Sequence, residues 1–266
     1  MIFASDLDRT LIYSKKFVSN KDCIRLVEKK DHEEISFMTE TAIEELKSVS
    51  EDMLFIPVTT RTIEQYKRIA IFEEISPKYA IVSNGGNILV NGEVDEEWHH
   101  LIQKKIKKDC LPLEELLLKF DEIASKEWLL RRRMADNLFT YCIVDGEKIP
   151  MEKLNAFIKW LELRNWKVSL QGRKLYFVPY CVCKWKALEY IKERENIDFI
   201  ISAGDSLLDL PMLKKADIGI APPHGEIYRI YKDTEETKNI IFTEKEGISA
   251  SEEILEKINN YAKGIA

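Results

Sequence analysis

Two grammars of apolar and polar positions run along the chain. In the first 84 residues, short apolar runs alternate with segments of helical spacing. Residues 2–5 form an apolar run that stops at an acidic cluster, and residues 39–50 place Ala42, Ile43, Leu46 and Val49 on one helical stripe. Thr39 or Thr41 is available as the N-cap of that helix. Residues 54–58 read as a buried strand ending in Thr59-Thr60-Arg61, residues 63–72 as a helix, and residues 79–82 as a strand closed by Ser83-Asn84-Gly85-Gly86. A charged turn at 23–27 followed by the apolar stretch 35–38 predicts a small hairpin before the first helix. Strands separated by helices imply parallel βαβ units.

The middle third reads differently. Helical spacing at 96–108 and 113–125 is broken by Pro112, and strands are predicted at 128–133 and 138–144. Pro150 opens a helix over 151–164, in the position where proline is tolerated. Two more strands, 166–170 and 174–178, are joined by Gln171-Gly172-Arg173. Helix and hairpin in succession make an α+β pattern. From Lys184 the first grammar resumes, with helices at 185–195, 207–215 and 249–261 and strands at 199–203, 218–221 and 240–242. The predicted fold is therefore α/β: a Rossmann-like open parallel sheet core built from 1–86 and 181–266, interrupted by an inserted α+β domain at 87–180.

Composition narrows the function classes. The 266 residues are 45% hydrophobic and 32% charged, enough to bury a real core. No apolar run approaches the ~20 residues needed to cross a bilayer, and an acid at position 6 does not fit a secretory signal. A cytoplasmic protein without a membrane partner is expected. The five cysteines (Cys23, Cys110, Cys142, Cys181, Cys183) are scattered and offer no zinc cage, so they read as reduced core thiols. A net charge of −6 argues against a nucleic-acid partner, although Arg131-Arg132-Arg133 forms one basic run.

Candidate chemistry gathers at the carboxyl ends of the predicted core strands, where open α/β sheets bind ligands. The first strand ends in Asp6-Leu7-Asp8-Arg9-Thr10, the second in Thr59-Thr60-Arg61, and a later one in Gly204-Asp205 with Asp209 beyond it. Lys184 opens the helix where the insert returns. Clustered carboxylates repel unless a cation neutralises them, and hard oxygen ligands favour Mg²⁺ over zinc. A lysine and a threonine beside such a metal complement a phosphoryl group. One carboxylate can attack phosphorus while another moves the leaving-group proton.

The segments DLDRT, TTR, KWKAL and GDSLLDLPML, in this order, resemble the four motifs of the haloacid dehalogenase superfamily, and the insert resembles a type C2 cap of its Cof-type and sucrose-phosphatase-like branches. The resemblance spans the whole chain. It implies a magnesium-dependent phosphatase acting on a small phosphate ester such as a sugar phosphate, through an aspartyl-phosphate. By position it implies Asp6 as nucleophile and metal ligand, and Asp8 as general acid/base with its backbone carbonyl on the metal. It further implies Asp205 and Asp209 at the metal, and Thr59, Thr60, Arg61, Asn84 and Lys184 around phosphate and substrate. Arg9, Trp185 and Leu208 depart from the residues usual at their positions, and Trp185 leaves Lys186 as a rival to Lys184. A phosphosugar mutase of the same architecture and a phospho-ligand-binding protein with little turnover are the alternative readings. Arg131, Arg133 and His224 are further residues that could meet a substrate. Oligomeric state and substrate identity are not legible.

Overall fold

The apolar run at the N-terminus is β1 (Ile2–Ser5), every residue of which is buried. In the computed structural model, which describes residues 1–18 and 23–264, a hairpin of β2 (Ile24–Lys30) and β3 (Glu33–Thr39) follows. Residues 24–27 of the segment expected as a charged turn are thus strand, with Val27 buried rather than solvated. α1 (Glu40–Asp52) buries Ala42, Ile43, Leu46 and Val49, and the Thr39 hydroxyl caps it by accepting from the Ala42 amide at 3.1 Å. β4 (Leu54–Pro57) comes next.

The single helix expected over 63–72 is two short ones, α2 (Ile63–Lys67) and α3 (Ile71–Ile75). The break has a clear cause: the Ala70 amide donates to the Val27 carbonyl of β2 at 2.8 Å instead of continuing the helical ladder. β5 (Tyr79–Val82) pairs with β6 (Asn87–Val90), which pairs with β7 (Glu93–Val94); the last two strands occupy a stretch that sequence alone assigned to the insert.

Helices α4 (Glu96–Asp109) and α5 (Leu113–Asp121) precede strands β8 (Leu129–Ala135) and β9 (Phe139–Val144). Helix α6 (Met151–Glu162) and strands β10 (Trp166–Gln171) and β11 (Lys174–Pro179) follow. The four strands form an antiparallel sheet in the order β10-β11-β9-β8. Aromatic rings pack its core, with Phe120 4.8 Å from Phe177 and 5.6 Å from Trp128. Trp166 is buried, and Trp160 stacks on Phe157, so both serve packing.

The chain then continues through α7 (Lys184–Glu195), β12 (Ile200–Ala203), α8 (Leu210–Lys215) and β13 (Ile218–Ala221). It ends with α9 (Glu226–Tyr231), β14 (Ile240–Phe242) and α10 (Ser249–Ala262). Among the described residues, a five-stranded sheet runs in the order β14-β13-β12-β1-β4 with every pairing parallel. Contacts divide the chain into two units, Met1–Asp95 with Lys184–Ala266, and Glu96–Cys183. No helix among the described residues is long and apolar enough to cross a membrane.

Register decides where the chemistry lies. Ser5 pairs with Ala203 on one side and Pro57 on the other, so the residues after β1, β4 and β12 emerge at one level. These are the acidic loop 6–10, the 58–61 turn and the 204–209 turn. β4 and β12 flank β1 on opposite sides, and the carboxyl end of such a strand is where open α/β sheets bind ligands.

Candidate active site

Asp6 is buried at the end of β1, and its two carboxylate oxygens have different partners. Oδ1 accepts from Lys184 Nζ at 2.6 Å, and Oδ2 accepts from the Thr10 hydroxyl at 3.3 Å. Lys184 also donates to Asp209 Oδ1 at 2.5 Å. Its side chain is only 1% exposed, so one buried ammonium ties two acids together. Lys186 points outward and is exposed, which separates it from this group. Burial pulls the Lys184 pKa down, and the charges of Asp209 and Asp6 more than reverse this, so the lysine stays protonated.

Asp209 is fully buried, and its other oxygen is used as well. Oδ2 accepts from the Ser206 amide at 2.9 Å and the Ser206 hydroxyl at 2.7 Å. These bonds hold 204–209 as a turn, so α8 starts at Leu210 rather than at the expected 207. Gly204 is required there: a Cβ on it would lie 2.5 Å from the Asp209 Cβ. Leu208 is buried. Trp185 is likewise buried, with its indole N–H donating to Glu189 at 3.0 Å.

Asp6, Asp205 and Asp209 each bring a carboxylate oxygen within 4.8 Å of the others. Burial first, then repulsion from Asp209, raises the Asp6 pKa to about 7 despite Lys184. Burial and the charges of Asp6 and Asp209 also push Asp205 well above the usual carboxylate range. Three carboxylates thus crowd together around one buried ammonium, and all the acids' donors are hard oxygens. That donor set fits a divalent cation such as Mg²⁺.

Asp8 lies across the same loop with its side chain about half exposed. Arg61 grips it in a bidentate pair, Nε to Oδ2 and Nη2 to Oδ1, both at 2.8 Å. Arg61, expected among the substrate-binding residues, is thus engaged by Asp8. Its remaining nitrogen, Nη1, meets Glu28 at 2.7 Å. Thr59 is buried, and its hydroxyl accepts from the Arg61 amide at 3.2 Å, which folds the turn. Thr62 caps α2. Thr60 sits half-buried between them. Asn84 is buried, and its backbone N–H donates to the Thr59 carbonyl at 2.9 Å, so the 83–85 turn is pinned to the 59–61 turn.

Arg9 has φ 66°, the left-handed region in which glycine is at ease. Interactions at both ends of the residue hold it there. Its Nη1 is 3.4 Å from Asp205, and Nη2 donates to the His224 carbonyl at 2.6 Å. His224 returns the contact through Nε2, 2.8 Å from the Arg9 carbonyl, while its Nδ1 accepts from the Gly247 amide at 3.1 Å. Accepting at Nδ1 makes the ring the neutral Nε2–H tautomer. Burial, more than any charge, lowers the His224 pKa. His224 therefore clasps three loops. Gly225 beside it is a close approach, since a Cβ there would lie 2.5 Å from the Asp205 carbonyl.

Arg131 and Arg133 are exposed on β8, whereas Arg132 pairs with Asp121 and lies over the Phe120 ring. Thr10, Ser206 and Glu28 were not singled out from sequence. For Thr10 and Ser206 a signal is present in the sequence, since Thr10 closes the acidic segment 6–10 and Ser206 adjoins Asp205. Glu28 sits in a charged run and gives no such signal.

The sequence matches the sucrose-6F-phosphate phosphohydrolase family over residues 1–262. No curated protein sequence matches. Solved structures are similar in fold across nearly the whole chain. The sucrose-phosphatase from Synechocystis sp. PCC6803, solved with sucrose and phosphate, is 13% identical with a TM-score of 0.68, covering 97% of this chain and 98% of that one. A sugar phosphatase of haloacid dehalogenase subclass IIB is 16% identical with a TM-score of 0.58, covering 100% and 99%. A haloacid dehalogenase-like hydrolase from Bacillus subtilis is 16% identical with a TM-score of 0.53, covering 96% and 90%. With the acid cluster at the carboxyl edge of its parallel sheet, this chain belongs to the sucrose-6F-phosphate phosphohydrolase family and is a phosphatase of the haloacid dehalogenase superfamily.

Proposed function

We propose that the protein is a Mg²⁺-dependent phosphohydrolase that cleaves a small phosphate monoester, a sugar phosphate, through an aspartyl-phosphate on Asp6. One observation carries this reading: Lys184 Nζ lies 2.6 Å from Asp6 and 2.5 Å from Asp209 inside a buried acid cluster. An isolated acid pair at a strand end would not need a buried ammonium. A carboxylate that must approach an anionic phosphoryl group does.

In this reading Asp6 Oδ attacks phosphorus in line with the departing oxygen. Asp8 gives its proton to that oxygen as the P–O bond breaks, then accepts a proton from the water that attacks the aspartyl-phosphate. Lys184 and the Thr59 hydroxyl hold the phosphoryl oxygens. Asp6, Asp205 and the Asp8 carbonyl would hold the magnesium, with Asp209 supporting it. Bound there, the ion would offset the carboxylate repulsion and draw charge from the phosphoryl group. Selection of the leaving group is assigned to the inserted unit, where Arg131 and Arg133 are two of the exposed cations.

The family and the sugar-phosphatase relatives favour a phosphorylated sugar as substrate. The test is a panel of sugar phosphates, sucrose 6F-phosphate among them, assayed for released phosphate with and without Mg²⁺. Metal-dependent release from one or more members is expected. Isomerised sugar phosphate in place of free phosphate, or no turnover of any member, would contradict the reading.

A further inference from the structure

The β2–β3 hairpin carries a buried acid that the mechanism above does not use. Glu28 lies on β2 where the pairing with β3 is irregular, with register shifts on both sides of it. Its side chain is fully buried. Three donors surround its carboxylate, each from a different segment of the chain. Oε2 accepts from Arg61 Nη1 at 2.7 Å and from the Ser36 hydroxyl of β3 at 2.8 Å, and Oε1 is 3.3 Å from Arg68 Nη2. Arg61 Nη2 also reaches the Ser36 hydroxyl at 3.2 Å.

A buried carboxylate is costly unless its geometry is well satisfied, and apolar residues would fill the same space more simply. The geometry shows what the arrangement achieves. The Arg61 guanidinium is planar, with one edge on Asp8 and the opposite nitrogen on Glu28. Anchored at both edges, the plane cannot swing, and the half-exposed Asp8 carboxylate is held where Arg61 puts it. The bulge in β2 aims Glu28 at that anchor. Glu28 and Asp8 together offset Arg61 and Arg68, so the string of four is neutral.

We propose that Glu28 is a positioning residue for proton transfer, acting on Asp8 through Arg61. This rests on the reading of Asp8 as the general acid/base. A misplaced acid matters only when the leaving oxygen needs a proton. An alkyl phosphate needs one. A nitrophenyl phosphate, whose leaving group is stable as an anion, does not.

The test compares kcat/KM for p-nitrophenyl phosphate and for an alkyl sugar phosphate in wild type, Glu28→Gln and Asp8→Asn. Glu28→Gln should lower alkyl turnover about tenfold while aryl turnover falls less than about threefold. Loss of folded protein alone would lower both equally, so equal losses or no loss would overturn the proposal. Should Glu28→Gln fail to fold, Ser36→Ala removes one donor from the same oxygen and should shift the ratio the same way, by about threefold; an unchanged ratio there overturns it as well. Asp8→Asn should shift the ratio by about 10² or more. An unchanged ratio in Asp8→Asn would instead remove the acid/base reading itself, which separates the two failures.

Discussion

Lys184 and Asp6 stand 178 positions apart in sequence, yet the lysine ammonium lies 2.6 Å from the Asp6 carboxylate. The lysine opens α7 and the aspartate follows β1, so the contact fixes where the chain re-enters the core relative to the acidic loop 6–10. Lys184→Met should leave Asp6 and Asp209 buried with no cation between them. Breaking a buried pair in this way costs about 3–5 kcal/mol. Urea unfolding should register that loss, and turnover should fall with it; a variant as stable as wild type would contradict the assigned contact.

Metal is expected to stabilise the fold. At a concentration about 100-fold above its Kd, Mg²⁺ should contribute roughly 2.7 kcal/mol, or a rise in Tm of about 5 °C or more. Asp205→Asn should abolish that rise. It should also make the metal-free protein more stable by roughly 1 kcal/mol, because one of three crowded carboxylates is gone. Thermal melts with EDTA and with Mg²⁺ read both effects, and a metal shift surviving in Asp205→Asn would count against the site.

His224 predicts a dependence on acid. Its folded-state pKa lies below the ordinary value of 6.5. Neutral His224 thus contributes stability that is fully present above pH 6.5 and is lost as pH falls through the lowered value, when Nδ1 takes a proton and can no longer accept from Gly247. The loss is roughly 0.5 kcal/mol, since a part-exposed group is screened by solvent. Urea midpoints at pH 7.5 and 5.5 should fall more steeply in wild type than in His224→Gln. Parallel slopes would contradict the clasp.

Arg9→Gly removes a side chain from a left-handed position. The backbone should relax by about 1 kcal/mol, while the contacts to Asp205 and His224 are lost. Stability near wild type with weakened Mg²⁺ binding, followed by titration of the metal-induced Tm shift, is the expected outcome. Unchanged metal affinity would show that Arg9 does not support Asp205.

Much of this site was legible from sequence because its parts sit at strand ends. Asp6, Thr59 and Asp205 each follow a short apolar run, and in parallel strands such positions share one edge whatever the details of packing. Lys184 over Lys186 was legible too, since only one of them falls on the buried side of the helix with Ala187 and Leu188. Glu28 was hidden because a charged stretch reads as solvated turn, and only the irregular pairing of β2 turns it inward. Arg61 is legible by its place in a motif, but its pairing with Asp8 of the 6–10 loop and Glu28 of the β2–β3 hairpin is not, because local pattern does not dock a hairpin. The split at Ala70 was equally invisible: an amide taken by a distant strand leaves no mark on hydrophobic spacing. Short-range pattern reports which residues reach the edge of the sheet. It does not report which long side chains meet there.

If Asp6 is the nucleophile, as proposed, Asp6→Asn should reduce turnover by about 10³-fold or more. A more direct measurement traps the intermediate. Wild type and Asp8→Asn, the latter slowed in the hydrolysis step, are mixed with p-nitrophenyl phosphate and Mg²⁺, quenched in acid, reduced with borohydride and mapped by peptide mass spectrometry. An aspartyl-phosphate is reduced to homoserine, and the account predicts that product at position 6 and nowhere else. Homoserine at another aspartate, or phosphate release with no reducible acyl-phosphate in either protein, would contradict it.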